Sequence, residues 1–295
     1  MGSVEIISLG DDFARWAGIA AESAPEERAL SFMREVVSPN REYYEALVFD
    51  DIPAGERRLK AASAIAEKYY EKRDAMGEAF GYAGAALRGL SEEFFSMFPG
   101  CRNGMTLVAM PSLRRFNGRE KLIGGKAVAG FGVEYFIAER YRDAAARDRE
   151  LRLTAAHEMF HLYHGEKSGI WQSPGKTVLI WLWAEGLAVI ASRVFCPGAT
   201  DAEILMDDEL AGAGDGAFKE FFEILSPALF STSAADLADI FNGGRSYRGL
   251  PSRVGYLIGL LAVESIAERG VSLSEMSSWS EVRASEELKS SLFSL

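Results

Sequence analysis

The stretch TVLIWLWAEGLAVIASRVF, from Thr177 to Phe195, is the most apolar part of the chain and carries Glu185 at its middle. It is nearly long enough to cross a bilayer, but a carboxylate at the centre of a span is costly in hydrocarbon. Length and charge are reconciled by a helix buried in a protein core, with the glutamate partnered, because an unpaired buried carboxylate is strongly disfavoured. The rest of the chain must therefore wrap this helix and give Glu185 something to bind. With 295 residues, 48% of them hydrophobic, it has the material to do so as one large domain or two packed lobes.

Charge narrows the partners. Against 32 basic residues stand 43 acidic ones, a formal net charge of -11, so the summed field repels nucleic-acid phosphates and anionic lipid surfaces. No nucleic-acid partner and no membrane span are expected. Cys101 and Cys196 each stand alone, which leaves neither a CxxC metal knuckle nor a disulfide framework and fits a reducing, cytoplasmic compartment. The opening MGSVEIISLGDDFARWAGIA lacks the basic leader and long apolar run of a signal peptide.

Up to about residue 100 apolar residues recur at three- and four-residue spacing, as in REYYEALVF and KAASAIAEKYYEKRDAMGEAF, which predicts helices and no strand. Ser23 with Pro25, Glu26 and Glu27 resembles a helix start, and Pro99-Gly100 punctuates the end of this region. From Met105 the segments TLVAMPS and KAVAGFGVEYF read as strands separated by the turn-like FNGRE and IGG. A charged helix is expected from near Asp143 into the histidine cluster, with Gly165 placed to end it and a loop through Ser173-Pro174-Gly175 leading to the apolar helix. The remainder reads as helical, with breaks at Pro197-Gly198, Gly212 to Gly216, Gly243-Gly244 and Gly270. The expected fold class is α+β, mostly helical, with a small β-sheet, divided into an N-terminal helical region (1–100) and a second part (101–295).

Residues 157 to 165 read HEMFHLYHG and hold every histidine in the chain. On a helix, residues four apart share a face, so His157 and His161 can direct two imidazoles at one point. Glu158 stands one residue beyond the first histidine, where its carboxylate can reach a metal-bound water without being a ligand. This is HExxH, in which two histidines hold zinc and the glutamate is the general base. The flanking LRLTAA and MF are helix-compatible and largely apolar, and buried imidazoles on such a helix need a partner. A catalytic zinc site takes a third protein ligand. His164 lies on roughly the same face but about 10 Å along the axis from His157, which makes ligation strained and favours support of the ligands, a place lining the cleft, or exposure near the helix end. The other candidate is Glu185, for which the alternatives are a salt bridge to an arginine or binding of the cation. Nearness to HExxH and the adjacent Gly186, which permits close helix approach, favour the ligand.

HExxH on one helix followed by WAEGLA on a second resembles the gluzincin pattern of zinc metallopeptidases, and is similar to a group of predicted zinc-dependent proteases whose second motif is an EGxA helix. The resemblance covers about residues 105 to 270, and its specific part is the two motifs. The 24-residue step from His161 to Glu185 is longer than in thermolysin-like enzymes and leaves loop 165–176 outside that template.

The resemblance implies a zincin-like catalytic core with a C-terminal helical lobe, zinc held by His157, His161 and Glu185, and hydrolysis of a peptide or protein substrate with Glu158 as base. It also implies that a strand beside the active-site helix offers its edge to substrate, and KAVAGFGVEYF is the segment in the matching place. There Gly130 and Gly132 either admit the substrate or mark a bulge. Gluzincins use a tyrosine or histidine of the C-terminal lobe on the oxyanion; no histidine follows His164, and Tyr256 in SRVGYLIGLLAVESIAERG, at the exposed start of a buried helix, is the implied residue, with Tyr247 next. The contrasting expectation is a non-catalytic metal-binding or regulatory domain that retains the fold; Glu158 argues against it, because a structural site needs no carboxylate beside its first ligand.

Overall fold

In the computed structural model, described for residues 4–100, 104–170, 175–213 and 215–295, the first strand arises where helical periodicity predicted none. Strand β1 (Val4–Ser8) pairs in parallel with β2 (Met105–Met110), Val4 opposite Met105. Strand β3 (Gly118–Ile123) pairs antiparallel with β4 (Lys126–Gly132), and β2 pairs in parallel with β4, giving the order β1-β2-β4-β3. β1 is short and its partner lies far along the chain, so no local period announces it. The expected turn FNGRE is where β3 begins, and the charged run GREKLI forms that strand, half-exposed, by pairing with β4. The protein is α+β and mostly helical, with one small mixed sheet among the described residues.

The chain divides into two compact units, Met1–Glu158 and Met159–Leu295. In the first, helices α1 (Gly10–Glu22), α2 (Pro25–Phe32), α3 (Glu56–Glu71) and α4 (Arg73–Met97) join the sheet in one core. α2 starts at Pro25 with Glu26 and Glu27 in its first turn, which suits the fixed φ of proline and the positive end of the helix dipole. Phe13, Trp16, Phe32, Tyr69 and Phe80 bring their rings together at 5.2–6.4 Å, and Val108, Met110 and Val128 of the strands belong to the same cluster. The step at 100/101 therefore marks where helices give way to strands within this unit.

A buried carboxylate shapes the loop that leads into β3. Glu134 is 4% exposed and accepts hydrogen bonds from Tyr69 Oη at 2.6 Å, Ser112 Oγ at 2.8 Å, the Ser112 N–H at 3.1 Å and the Arg114 N–H at 2.8 Å. Leu113 and Arg114 are both left-handed, with φ of 55° and 58°, a conformation costing roughly 1–2 kcal/mol per non-glycine residue. Charge-assisted hydrogen bonds to Glu134 offset that strain and fix where β3 starts.

Helix α5 (Ala144–Ser168) begins as expected, Asp143 Oδ1 accepting from the Ala146 N–H at 2.8 Å, but it runs through Gly165 and stops before Gly169, whose φ of 71° suits only glycine well. Ser173, Pro174 and Cys101 lie outside the described residues.

In the second unit, α6 (Val178–Phe195) is capped by Thr177 Oγ1, and α7 (Phe218–Leu225), α8 (Ala234–Phe241), α9 (Val254–Glu268) and α10 (Glu281–Leu292) follow. α6 meets length and composition for a membrane span, yet most of it is buried within the protein, as a core helix should be. It crosses α9 at bare backbone: a Cβ on Gly186 would lie 2.3 Å from Gly259 O, and one on Gly259 2.3 Å from Leu182 O. α10 packs on both, Ser291 Oγ donating to Ala262 O at 2.8 Å.

Candidate metal centre

From Leu153 to Gly165 every residue of α5 except half-buried His157 is buried, so the imidazoles of His157 and His161 lie on a helix enclosed nearly all round. The four-residue spacing sets one above the other. Glu185, 5% exposed, reaches the same point from α6, its position fixed by the Gly186–Gly259 crossing immediately beside it. Ligand atoms of His157, His161 and Glu185 all lie within 4.8 Å of one another, and His161 Nε2 is 3.3 Å from Glu185 Oε2.

The donor set fits a divalent cation. Two ligands at about 2.0–2.1 Å from one tetrahedral ion stand roughly 3.3 Å apart, the separation that His161 and Glu185 already have. Two imidazoles with one carboxylate suit zinc or a neighbouring transition metal better than magnesium or calcium, which favour all-oxygen sites. The group His157, His161 and Glu185 can hold a metal ion.

Glu158 is 8% exposed and stays out of this group of three. Its side chain lies against the first residue of β3: a Cβ built on Gly118 would be 2.6 Å from Glu158 Cγ and 2.8 Å from Glu158 Oε1, with Thr154 Cγ2 also at 2.6 Å. Thr154, one turn before Glu158, is buried and its Oγ1 has no hydrogen-bond partner among the described residues. Neither Gly118 nor Thr154 stands out in the sequence, where Gly118 reads as part of a turn.

His164 is 1% exposed and outside the ligand group, so it is neither a third ligand there nor an exposed residue near the helix end. Its Nε2 has no hydrogen-bond partner among the described residues, and burial, followed by the nearby charges of His161 and Lys176, pushes its pKa down to about 3. The ring is neutral wherever the protein is folded near neutrality.

Tyr256 lies in the first turn of α9, half-buried, its ring edge-on to Phe241 at 6.3 Å and under the Arg253 guanidinium at 4.3 Å. Tyr247 is buried, 6% exposed. Arg253, left-handed with φ of 59°, starts the helix; this start is half-buried at Arg253 and Tyr256 and buried at Val254 and Gly255, rather than exposed as expected, and the next turns form the core.

The segment KAVAGFGVEYF does not offer an edge. β4 is paired on both sides, by β2 and by β3, and the outermost strand near Glu158 is β3. Nor is there room for substrate at its glycines: the space over Gly130 holds Leu47 Cδ1 at 2.8 Å from an added Cβ, and that over Gly132 holds Phe116 O at 2.4 Å. These glycines let the chain pack on itself.

No protein-family model matches the chain, and neither the curated proteins nor the solved structures contain a significant match to it.

Proposed function

We propose that this protein is a zinc-dependent peptidase with a zincin-like core, its metal held by His157, His161 and Glu185. The observation that carries the reading is the convergence of these three ligands, on two buried helices, beside a fourth ionisable residue, Glu158, that is buried but not part of the ligand group. A structural metal site has no use for that carboxylate; hydrolysis does.

The chemistry zinc supplies when bound is Lewis acidity, which brings the ionisation of water down to about pH 7 and polarises a carbonyl. Glu158 takes the proton of the attacking water and delivers it to the leaving amine nitrogen. An extended peptide adds to the outer side of β3, the strand that begins against Glu158, through main-chain hydrogen bonds. Tyr256 Oη donates to the oxyanion, and the Arg253 guanidinium, stacked over its ring at 4.3 Å, holds the ring in place.

Wild type and Glu158→Gln, each loaded with zinc, are compared on a mixed peptide library. Cleavage by wild type with a loss of about 10²–10⁴-fold in the variant is expected, because that is what a positioned general base contributes. Equal cleavage by both, with zinc retained, excludes Glu158 as the base. If zinc binds and wild type cleaves nothing, a non-catalytic metal-binding domain replaces the peptidase reading.

A further inference from the structure

We propose that Gly118 is a positioning residue for Glu158: the bare Cα at the start of β3 is the surface against which the Glu158 carboxylate is set. The inference rests on the peptidase reading, which makes Glu158 the base, but its geometry does not depend on it.

Thr154 and Glu158 are four residues apart on α5, and their side chains stand on one face with a gap between them. Gly118 occupies that gap. An added methyl would fall 2.6 Å from Thr154 Cγ2 and 2.6 Å from Glu158 Cγ, far inside the ordinary contact distance of about 3.5–4.0 Å, so something must move. The strand is held on three counts. Gly118 pairs with Phe131 in the β3–β4 ladder, its N–H donates to Asn117 Oδ1 at 2.9 Å, and the Asn117 carbonyl accepts from the Gly132 N–H at 2.9 Å. Upstream, the loop is tied down by Glu134. Both side chains are buried, but Thr154 has one χ angle, whereas Glu158 has three and presents two atoms to the added carbon, Cγ at 2.6 Å and Oε1 at 2.8 Å. The Glu158 side chain therefore yields first. Any side chain at position 118 displaces the carboxylate, and the three atoms nearest to it belong to Thr154 and Glu158 rather than to His157, His161 or Glu185, so metal binding is expected to survive.

The test uses the full chain as Gly118→Ala, Glu158→Gln and the double variant, measuring bound zinc, kcat on the peptide library, and a crystal structure of Gly118→Ala. The expected result is zinc retained, kcat reduced about 10²-fold in Gly118→Ala, as a misplacement of about 1 Å can cause, no further loss when Gly118→Ala is added to Glu158→Gln, and a changed Glu158 rotamer. Multiplying losses, or an unchanged Glu158 rotamer with β3 displaced, overturn the proposal. If Gly118→Ala does not fold, Gly118→Ala with Thr154→Ser removes the methyl on the other side of the gap. Full activity in that pair shows that only the Thr154 contact matters and also overturns it. Should wild type cleave nothing, the peptidase reading fails and the Glu158 rotamer alone decides the positioning claim.

Discussion

Replacing Gly186 by alanine sets two effects against each other. Inside a helix, alanine is favoured over glycine by about 1 kcal/mol. Here the new Cβ would lie 2.3 Å from Gly259 O, 2.5 Å from Gly259 C and 2.9 Å from Val263 Cγ2. A carbon and a carbonyl oxygen approach to about 3.3 Å at closest, so α6 and α9 must part by roughly 1 Å, and backbone cannot rotate aside as a side chain can. Overpacking of this kind costs about 1–3 kcal/mol and occasionally more; with backbone as the obstacle the upper end applies, and the net loss is about 2 kcal/mol. The control is Gly77→Ala or Gly81→Ala in α4, exposed glycines with nothing within 4 Å of an added Cβ, where propensity acts alone and stability rises by up to about 1 kcal/mol. Urea denaturation of the metal-free proteins gives both signs in one experiment. Zinc titration of Gly186→Ala adds the functional side, since the displaced backbone carries Glu185 away from His161 and affinity falls. A Gly186→Ala protein as stable as the Gly81→Ala control, with unchanged zinc affinity, refutes the reasoning that the bare α6–α9 crossing places Glu185.

Glu185→Gln removes the anionic ligand and is expected to weaken zinc binding by more than the roughly 10–100-fold that loss of an outer-shell partner costs; isothermal titration with zinc checks it, and a variant that binds like wild type removes Glu185 from the site. For His164 the folded pKa of about 3 lies below the ordinary 6.5. The unfolded chain thus takes up a proton that the folded one refuses, and stability is lost as pH falls from 6.5 toward 3. The loss is about 2 kcal/mol at pH 5 relative to neutral pH, and metal-free His164→Phe should show a correspondingly shallower acid destabilisation in urea unfolding at pH 7.5 and 5; identical pH dependence contradicts the assignment. Tyr69→Phe deletes the 2.6 Å hydrogen bond to buried Glu134, with an expected cost of about 1.5–3 kcal/mol for a bond to a charged group, read as a lowered urea midpoint.

Local chemistry was legible where its cause is local. His157 and His161 converge because four residues make about one helical turn, and Glu185 stands out because a lone carboxylate in an apolar run has to be explained. The closeness of Gly186 to a second helix followed from its size, and the partner, Gly259, is itself a glycine in an apolar helix. What pattern did not reveal depends on pairing across the chain. β1 and β3 are strands because β2 and β4 are there to bond them; VEIIS is too short and GREKLI too charged to declare themselves. For the same reason β4, with the stronger strand pattern, was expected at the edge and proves central: a continuous apolar run marks a strand covered on both faces, and says nothing of its neighbours in the sheet. The end of α5 moved from Gly165 to Gly169 because only the latter adopts the left-handed conformation. Gly118 carried no signal at all, since its meaning lies in Thr154 and Glu158 on another element.

All of the proposed chemistry depends on a metal ion held by two residues of one helix and one of the next. Anomalous scattering measured on either side of the zinc absorption edge, from crystals of the zinc-loaded protein, tests it directly. The predicted result is a single strong peak about 2.0–2.2 Å from an imidazole nitrogen of His157, an imidazole nitrogen of His161 and a carboxylate oxygen of Glu185. Absence of a peak there, with His161 Nε2 and Glu185 Oε2 still 3.3 Å apart, would show a buried histidine–carboxylate pair and no metal centre.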